Sequence, residues 1–353
     1  MKKQYNYILF LLIAPFLVQA ATNDFIHSKQ KNIKKAYYVN SNAILAVDNS
    51  YGSLIVTTWD EDKIELDVQI RVSGDNENWV NQKIDAITID IQALKGLVTA
   101  KTIFENSNIK SSGKKNSFEI NYILKIPRNG SIKLNNKYGN ITTTDIASNA
   151  EIKCKYGKIT TGKLQGISDI NIEYCNNSSI ELIKNGQINA RYSSIKIDET
   201  SKLQLTSDYT DIEILNGDSV AYSSDYGKIK ISKIRNLEAS GDYLTIQIGE
   251  ITGSLSLQTK YSSLAIQSVH AKAKSQMIST AYTGITIGFQ PNYYFDLNAI
   301  LKYANLKYDS ALEMDSKEET SQTKKYTGFH KRKGINSMAI TSNYGNVVLT
   351  QNQ

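Results

Sequence analysis

Apolar and polar residues alternate along most of the chain, and residues 203–214 are a clear example. Leu205 and Tyr209 lie at alternate positions with polar residues between them. After a two-residue turn, Ile212 and Ile214 flank a single polar residue. Alternation with a period of two is typical of strands that bury one face. The pattern therefore predicts an all-β chain built from many short strands.

A phrase centred on tyrosine, such as "SDYGKIKI" at 224, returns throughout the chain, and an outlying copy, "NSYGSLIV", begins at 49. The first eight regular members are separated by 17 or 18 residues, and the later ones by 21, 21 and 41. The repeated tyrosines are Tyr138, Tyr156, Tyr174, Tyr192, Tyr209, Tyr226, Tyr243, Tyr261, Tyr282, Tyr303 and Tyr344. A period this regular predicts a solenoid in which each repeat is one coil. Because so short a unit has no room for a helical crossover, we expect a parallel β-helix, or β-solenoid, of about eleven coils.

The tyrosine shares the parity of the inward-facing aliphatic residues, which predicts a ring that stacks at a corner of the coil with its hydroxyl near water. Glycine follows the tyrosine in several repeats, for example Gly157 and Gly227, and we expect it to supply a positive φ. The position two before the tyrosine is mostly small, as at Ala190 and Ser207, which predicts space for the ring.

Residues 1–20 have the three parts of a secretory signal. Lys2 and Lys3 precede an apolar run, and a small-x-small cleavage site ends at Ala20. The mature chain has no second long apolar stretch, so we expect no transmembrane segment. Export to the periplasm, the cell surface or the extracellular space follows from this prediction.

The remaining patterns divide the mature chain into three parts. Residues 21–38 are polar and basic, which predicts a flexible leader. Residues 39–130 hold long alternating runs and further strands, and we expect an N-terminal β cap over the first coil, with one short helix near 76–87. Residues 131–353 hold the β-solenoid repeats, interrupted by a polar insertion at 310–333.

The formal net charge of +7 falls to +5 when Lys2 and Lys3 leave with the signal. A chain that binds nucleic acid usually carries a concentrated basic stripe, so this mild excess predicts no nucleic-acid partner. Tyr, with 22 residues, far outnumbers Phe with 8. This balance suits strands with polar outward faces.

The chain has two cysteines, Cys154 and Cys175. Cys175 lies one coil after Cys154 and three positions further along the contour of the repeat. That offset is roughly 10 Å along an extended chain, which is too far for a disulfide. We therefore expect two unpaired thiols.

Three segments in order resemble the bacterial "putative adhesin" domain family of unknown function. They are "VDNSYGSLIVTTWDEDKIELDVQI" (47–70), "INYILKIPRNGSIKLNNKYGNITTTDI" (120–146) and "KKYTGFHKRKGINSMAITSNYGNVVL" (324–349). With the YG repeats they cover most of the mature chain. The resemblance implies a β-helix-like fold and an exported setting, and the family offers no catalytic residues to carry over.

Asp208, Asp225 and Asp242 each precede the tyrosine of consecutive repeats. In a parallel β-helix they would stack outward about 5 Å apart. Such carboxylates can bind Ca²⁺ or raise one another's pKa, as in polysaccharide-degrading enzymes built on this fold. A solvated ladder is the simpler interpretation, because Arg191 and Lys260 adjoin the run at its two ends. Calcium is the one cofactor that this pattern suggests.

The insertion carries a cluster of basic residues: Lys324, Lys325, His330, Lys331, Arg332 and Lys333. The cluster is a candidate contact for lipopolysaccharide, anionic lipid or another anionic polymer. The alternative is a surface loop whose charges only maintain solubility.

Aromatic residues raise the separate hypothesis of sugar stacking. The tyrosines are candidates, although their inward parity favours packing at the corner. Trp59 and Trp79 are the other candidates, with a core or cap position as the alternative for each.

Motifs of catalysis are otherwise lacking, since His27, His270 and His330 have no metal-binding spacing and no nucleophile-elbow or P-loop motif occurs. We therefore predict an exported, non-enzymatic, adhesin-like binding or scaffold protein of the surface or periplasm. Its partner would be a glycan or a protein of the envelope or surface. One alternative is a polysaccharide-active enzyme that uses the aspartate face. Another is an envelope-stress accessory that meets a protein partner through residues 310–333.

Overall fold

The structure, a computed structural model, describes residues 25–105 and 115–352. The predicted signal at 1–20 lies outside the described residues. Within those two ranges the chain forms 26 strands in one sheet of mixed direction and a single helix. The all-β prediction is therefore confirmed.

The central repeats each contribute a strand that leads to the tyrosine and a strand that follows it. These strands are β8 (Ser131–Lys137), β9 (Ile141–Thr143), β10 (Ala150–Lys155), β11 (Ile159–Glu173), β12 (Ser178–Arg191), β13 (Ser194–Asp208), β14 (Asp211–Asp225), β15 (Gly227–Asp242), β16 (Leu244–Ile251), β17 (Leu255–Lys260), β18 (Ser263–Val269), β19 (Gln276–Ala281) and β20 (Gly284–Phe289). Successive repeats pair in parallel at an offset of one repeat. Ile152 pairs with Ile170, and Leu205 pairs with Tyr222.

The inward-facing residues of successive repeats lie over one another and form one hydrophobic core. One such row runs through Ile188, Leu205, Tyr222 and Ala239, all of them buried. Because each row continues from coil to coil, no repeat has to bury its apolar face alone.

The N-terminal part adds seven strands and the helix. These elements are β1 (His27–Tyr38), β2 (Ile44–Ser50), β3 (Leu54–Trp59), β4 (Lys63–Gly74), α1 (Glu77–Asp85), β5 (Ile87–Leu94), β6 (Leu97–Phe104) and β7 (Asn116–Pro127). β2 pairs in parallel with β8 and β3 pairs in parallel with β9, so the outlying copy around Tyr51 pairs with the next repeat as the others do. β4 runs antiparallel to β7, and β5 runs antiparallel to β6.

The prediction of a flexible leader is wrong for residues 27–38. These residues form β1, which pairs antiparallel with β4 along its whole length. Ile33 and Tyr37 pack against the core, while most of the other side chains of β1 are exposed. Backbone pairing with a free strand edge thus orders a segment whose polar composition gave no such signal, and its lysines make the new edge unfavourable for further pairing.

Helix α1 lies inside the stretch 76–87. The Asn76 side chain accepts a hydrogen bond from the Trp79 N–H at 2.9 Å and caps the helix at its start. Trp79 and Val80 are buried, so Trp79 belongs to the core and not to an exposed sugar site.

The C-terminal strands do not follow chain order in space. They are β21 (Phe295–Lys302), β22 (Leu306–Tyr308), β23 (Leu312–Glu319), β24 (Thr323–His330), β25 (Ser337–Asn343) and β26 (Val347–Gln351). β25 lies between β19 and β21, and β26 lies between β20 and β22. The last coil of the sequence is therefore inserted before the coil of Tyr303.

The polar insertion at 310–333 contains a β-hairpin. Its strands β23 and β24 are antiparallel, and β24 also pairs antiparallel with β21. The hairpin thereby covers the backbone edge of the outermost coil on that side.

Candidate ligand-binding groove beside a tyrosine ladder

Twelve tyrosines form one continuous stack, which we call the tyrosine ladder. Neighbouring ring centroids are 4.7–5.1 Å apart and neighbouring ring planes differ by at most 11°. In spatial order the ladder is Tyr51, Tyr138, Tyr156, Tyr174, Tyr192, Tyr209, Tyr226, Tyr243, Tyr261, Tyr282, Tyr344 and Tyr303. At the Tyr51 end, Phe104 and Phe118 pack against the terminal ring.

Every tyrosine of the ladder adopts a left-handed backbone conformation, with φ between 48° and 63°. This turn points the ring outward, and 40–52% of each tyrosine is exposed. The predicted inward parity of the ring is therefore wrong, and so is the prediction that glycine supplies the positive φ in general. A left-handed residue costs about 1–2 kcal/mol, and each aromatic contact returns about 0.5–1.5 kcal/mol.

The residue after the tyrosine points into the corner. At Gly139, the reason for glycine is close packing between backbones and not a positive φ. A Cβ on Gly139 would lie 1.8 Å from the carbonyl oxygen of Gly52, so the two backbones approach too closely for a side chain. Where the corner is wider, a hydroxyl fills it. The Cys175 N–H donates to Ser193 Oγ at 3.0 Å, and the Ser193 N–H donates to Thr210 Oγ1 at 3.3 Å.

The small residues two before the tyrosine do not make room for the ring, because the ring points away from them. They fill the interior of the corner and bind one another between coils. Asn49 donates to Asn136 Oδ1 at 3.2 Å, and the hydroxyls of Ser207 and Ser224 are 2.6 Å apart. All four residues are buried.

A shallow groove, the ladder groove, follows the outward face of the strands that lead to the tyrosines. Its main part has a volume of about 690 Å³, and a second part of about 420 Å³ continues from it through Asp225. Most of its lining comes from the residues three and one before each tyrosine. The polar and charged members of these two rows are Asn135, Lys137, Lys153, Lys155, Asn171, Glu173, Asn189, Arg191, Thr206, Asp208, Ser223, Asp225, Ser240, Asp242, Gln258, Lys260, Ser279 and Asn343.

The row three before the tyrosine carries amides and hydroxyls that the sequence analysis did not single out. Asn189 donates to Asn171 Oδ1 at 3.1 Å, and Asn135 donates to Asp48 Oδ1 at 2.9 Å. Their outward parity and their recurrence at the repeat period were the available signals. These side chains form a row of hydrogen-bonding groups across successive repeats.

The charge of the groove changes sign along its length. At one end, Lys155 forms an ion pair with Glu173 at 2.9 Å and its Nζ lies 5.3 Å from the ring centre of Tyr156. The hydrogen bond to Glu173 raises the pKa of Lys155. The other end carries the aspartates, so a ligand in the groove would meet both signs of charge.

The structure brings Asp208, Asp225 and Asp242 onto neighbouring coils of this face. Asp225 Oδ1 accepts the N–H of Asp242 at 2.8 Å, and Asp242 Oδ1 accepts the N–H of Lys260 at 2.9 Å. Within 25–105 and 115–352, no group of three or more His, Cys, Asp or Glu side chains is arranged to hold a metal ion. These contacts give two of the aspartates a structural role, and calcium binding stays a prediction.

The basic cluster of the insertion does not form one patch. Lys325 and Lys331 lie near opposite ends of β24, which is about 20 Å along a strand. His330 is fully buried, with Nδ1 2.6 Å from the Tyr293 carbonyl oxygen. Lys324 binds Asn305 Oδ1 at 2.6 Å, and Lys333 binds Asp315 Oδ1 at 2.8 Å.

The remaining three basic residues of that cluster are exposed: Lys325 lies in β24, and Lys331 and Arg332 lie in the turn after it. Trp59 is not an open platform for a sugar either. Lys63 and Lys125 place their Nζ atoms 4.7 and 4.9 Å from the indole ring. The indole N–H donates to the Lys63 carbonyl oxygen at 2.8 Å.

Both cysteines are free thiols in this structure, but the predicted separation of roughly 10 Å is wrong. The turn at Tyr174 directs Cys175 into the corner that Cys154 occupies, and Cys175 Sγ lies 3.3 Å from the Cys154 carbonyl oxygen. Interaction with the neighbouring Cys175 thiol and burial raise the pKa of the Cys154 thiol, whereas interaction with Cys154 lowers the pKa of the Cys175 thiol to about 7.

No family model matches this chain, and no curated protein matches it. A solved structure of a "putative adhesin" from Parabacteroides distasonis is 9% identical, covers 90% of this chain and 97% of its own, and has a TM-score of 0.29. A "putative cell adhesion protein" from Clostridium sporogenes is 9% identical, covers 92% of this chain and 100% of its own, and has a TM-score of 0.20. TM-scores this low carry no argument about fold or function.

A third solved structure, a "putative lipid binding protein" from Parabacteroides distasonis, is 10% identical with a TM-score of 0.28 over 90% of this chain and 96% of its own. The resemblance to the adhesin family therefore stays a prediction. In the described part of the chain, none of the helical structure has the length and apolar character needed to cross a bilayer.

Proposed function

We propose that this chain is an exported, non-enzymatic binding protein whose ladder groove holds an extended glycan. The observation that carries the proposal is the groove itself, with its repeated rows of amides, hydroxyls and charges beside the exposed edges of the tyrosine rings. In this account the rod is a parallel β-solenoid and presents the groove at the cell surface or in the periplasm.

The solenoid part of the proposal rests on the strand registers and on the ladder. Parallel partners such as Leu205 and Tyr222 are one repeat apart in sequence, and the ring spacing matches the distance between neighbouring strands. Each coil therefore repeats its surface about 4.8 Å further along the rod. A periodic surface of this kind suits a ligand that is itself a linear polymer.

The chemistry of the groove favours a polymer with many hydroxyl groups. Asn171, Asn189 and Thr206 supply both donors and acceptors from consecutive coils. The stacked tyrosines use their ring faces on one another, so a sugar would meet ring edges and hydroxyls at the border of the groove. Affinity would then come from many modest hydrogen bonds and not from one deep pocket.

The enzymatic alternative finds less support in the geometry. Catalytic carboxylates need to face a substrate, whereas Asp225 and Asp242 each accept a backbone N–H of the next coil. The alternative of an envelope-stress accessory that meets a protein partner through residues 310–333 would use the edge of β23, whose only pairing among the described residues is with β24. The acidic side chains of that edge do not favour strand addition.

The proposal is tested by screening the mature chain against immobilised glycans, with and without calcium. Asn171→Ala/Asn189→Ala removes hydrogen-bonding groups from the groove. Asn185→Ala/Asn216→Ala is the matched control, because both of its asparagines are exposed and lie outside the groove. We expect the groove variant to lose at least tenfold in affinity and the control to bind like the parent chain.

Equal loss in both variants, or no glycan bound by the parent chain, would refute the binding role of the groove. Release of new reducing ends by the parent chain that disappears in Asp208→Ala/Asp225→Ala/Asp242→Ala would favour the enzyme instead.

A further inference from the structure

The two cysteines meet at one corner of neighbouring coils, although their sequence positions differ by more than one repeat. Cys154 is two residues before Tyr156, and its strand position points inward. Cys175 follows Tyr174, whose left-handed turn points the next side chain inward as well. Positions before and after the tyrosine therefore converge on one interior corner.

The two thiols are closely packed and buried from solvent. Cys175 Sγ lies 3.3 Å from the Cys154 carbonyl oxygen, and Cys154 Sγ lies 3.6 Å from the Gly139 carbonyl oxygen. Cys154 is 2% exposed and Cys175 is not exposed at all. A Cβ on Gly157 would lie 2.1 Å from the Gly139 carbonyl oxygen and 3.3 Å from Cys154 Sγ, so the backbones around the sulfur are closely packed.

We propose that Cys154 and Cys175 form a disulfide that links the Tyr156 coil to the Tyr174 coil in the exported protein. A direct bond between the two residues requires side chains that face each other on adjacent backbones. Both side chains point into one corner, and Cys175 Sγ lies 3.3 Å from the Cys154 backbone. The predicted export supplies the setting, because disulfides persist in oxidising compartments.

The reaction is thiol–disulfide exchange with a protein or glutathione disulfide as the oxidant. One cysteine thiolate attacks the oxidant, forms a mixed disulfide and releases the first reduced thiol. The second cysteine thiolate then attacks the sulfur of the first cysteine and releases the second reduced thiol. Both protons lost by the cysteines end on the two released thiols. Because the corner is closed in the folded chain, the exchange takes place while the coils are still assembling.

The test uses the full chain with its own residues 1–20, recovered from the oxidising compartment and alkylated in denaturant before any reduction. We expect no alkylated cysteine, a mass lower by two hydrogens than that of the reduced chain, and a linked pair of peptides containing Cys154 and Cys175. After reduction, both cysteines should be alkylated. Cys154→Ser and Cys175→Ser should each show one free thiol.

Two alkylated cysteines before reduction, a glutathione adduct, or a disulfide between chains would overturn the proposal. If export is poor, the reduced parent chain is refolded with a mixture of oxidised and reduced glutathione. The same alkylation and mass analysis then distinguishes a disulfide from two free thiols. This arm needs only the parent chain, so it also decides the question if a serine variant does not fold.

Discussion

Tyr209 and Tyr226 stack with their ring centroids 4.7 Å apart and their planes 4° apart, although 17 residues separate them in sequence. Each of them occupies a left-handed conformation that disfavours a residue with a side chain. The contact is therefore part of what keeps the turn in place. Because the same pair recurs along the rod, the tyrosines both mark the corners and hold neighbouring coils in register.

Replacing one internal ring of the ladder should lower stability through lost stacking. Tyr226→Ala removes two ring contacts and keeps the unfavourable backbone conformation, so we expect a loss of about 1–3 kcal/mol. Tyr226→Phe keeps the ring and should cost much less, because the hydroxyl lies at the exposed edge. Urea unfolding of both variants measures the difference. Equal losses would mean that the hydroxyl and not the ring stabilises the corner.

Because the backbones approach closely after the tyrosine, a side chain at that position should destabilise the fold. Gly139→Ala would force a Cβ against the carbonyl oxygen of Gly52, and we expect a loss of about 3 kcal/mol or more. Gly96→Ala is the control, because a Cβ there meets no atom within 4 Å. Thermal unfolding compares the two variants. A Gly139 variant as stable as the Gly96 variant would contradict the packing of the coils around Tyr51 and Tyr138.

Ionisation of the buried Tyr122 should lower the free energy of unfolding at high pH. It is fully buried, its hydroxyl is 2.8 Å from Thr102 Oγ1, and burial raises its pKa to about 12. The neutral phenol is the form that the fold accommodates. Its contribution is therefore complete below pH about 10, the value in the unfolded chain, and is lost as pH rises toward about 12.

Over that window, Tyr122 should lower the free energy of unfolding by about 1.4 kcal/mol for each pH unit. Tyr122→Phe removes this titration, so urea unfolding of the variant should show a shallower decline above pH about 10. An equal decline in the variant and the parent chain would show that other groups cause it.

The repeat period was enough to predict parallel pairing and a column of tyrosines, because strands offset by one period must lie side by side. The left-handed turn was not predictable, since Tyr is a poor candidate for that conformation and Gly157 appeared to be the better one. The turn reverses the direction of the side chains that follow it. For that reason the contact between Cys154 and Cys175 was missed.

The spatial order of the last coils could not be predicted from the sequence pattern either. The repeat period identifies equivalent positions in different coils. It does not determine the spatial order of the coils when an insertion allows a later coil to lie between two earlier ones. β1 was missed for a similar reason, because its order comes from pairing with β4 and not from its own composition. The groove lining at Asn171 and Asn189 had the correct period but no chemistry that singled it out.

The account depends on coils that stack in register in the order given by the tyrosine ladder. Ala281 is the register partner of Asn343, and Asn343 is also the partner of Lys302. Adjacent parallel partners lie about 4.8 Å apart, within reach of a disulfide, whereas residues two coils apart lie beyond the limit of about 7 Å.

The deciding measurement is cross-linking of cysteine pairs under mild oxidation, in a chain that also carries Cys154→Ser and Cys175→Ser. The account predicts that Ala281→Cys/Asn343→Cys forms an intramolecular disulfide and that Ala281→Cys/Lys302→Cys does not. Efficient closure of the Ala281/Lys302 pair, with no closure of the Ala281/Asn343 pair, would contradict it.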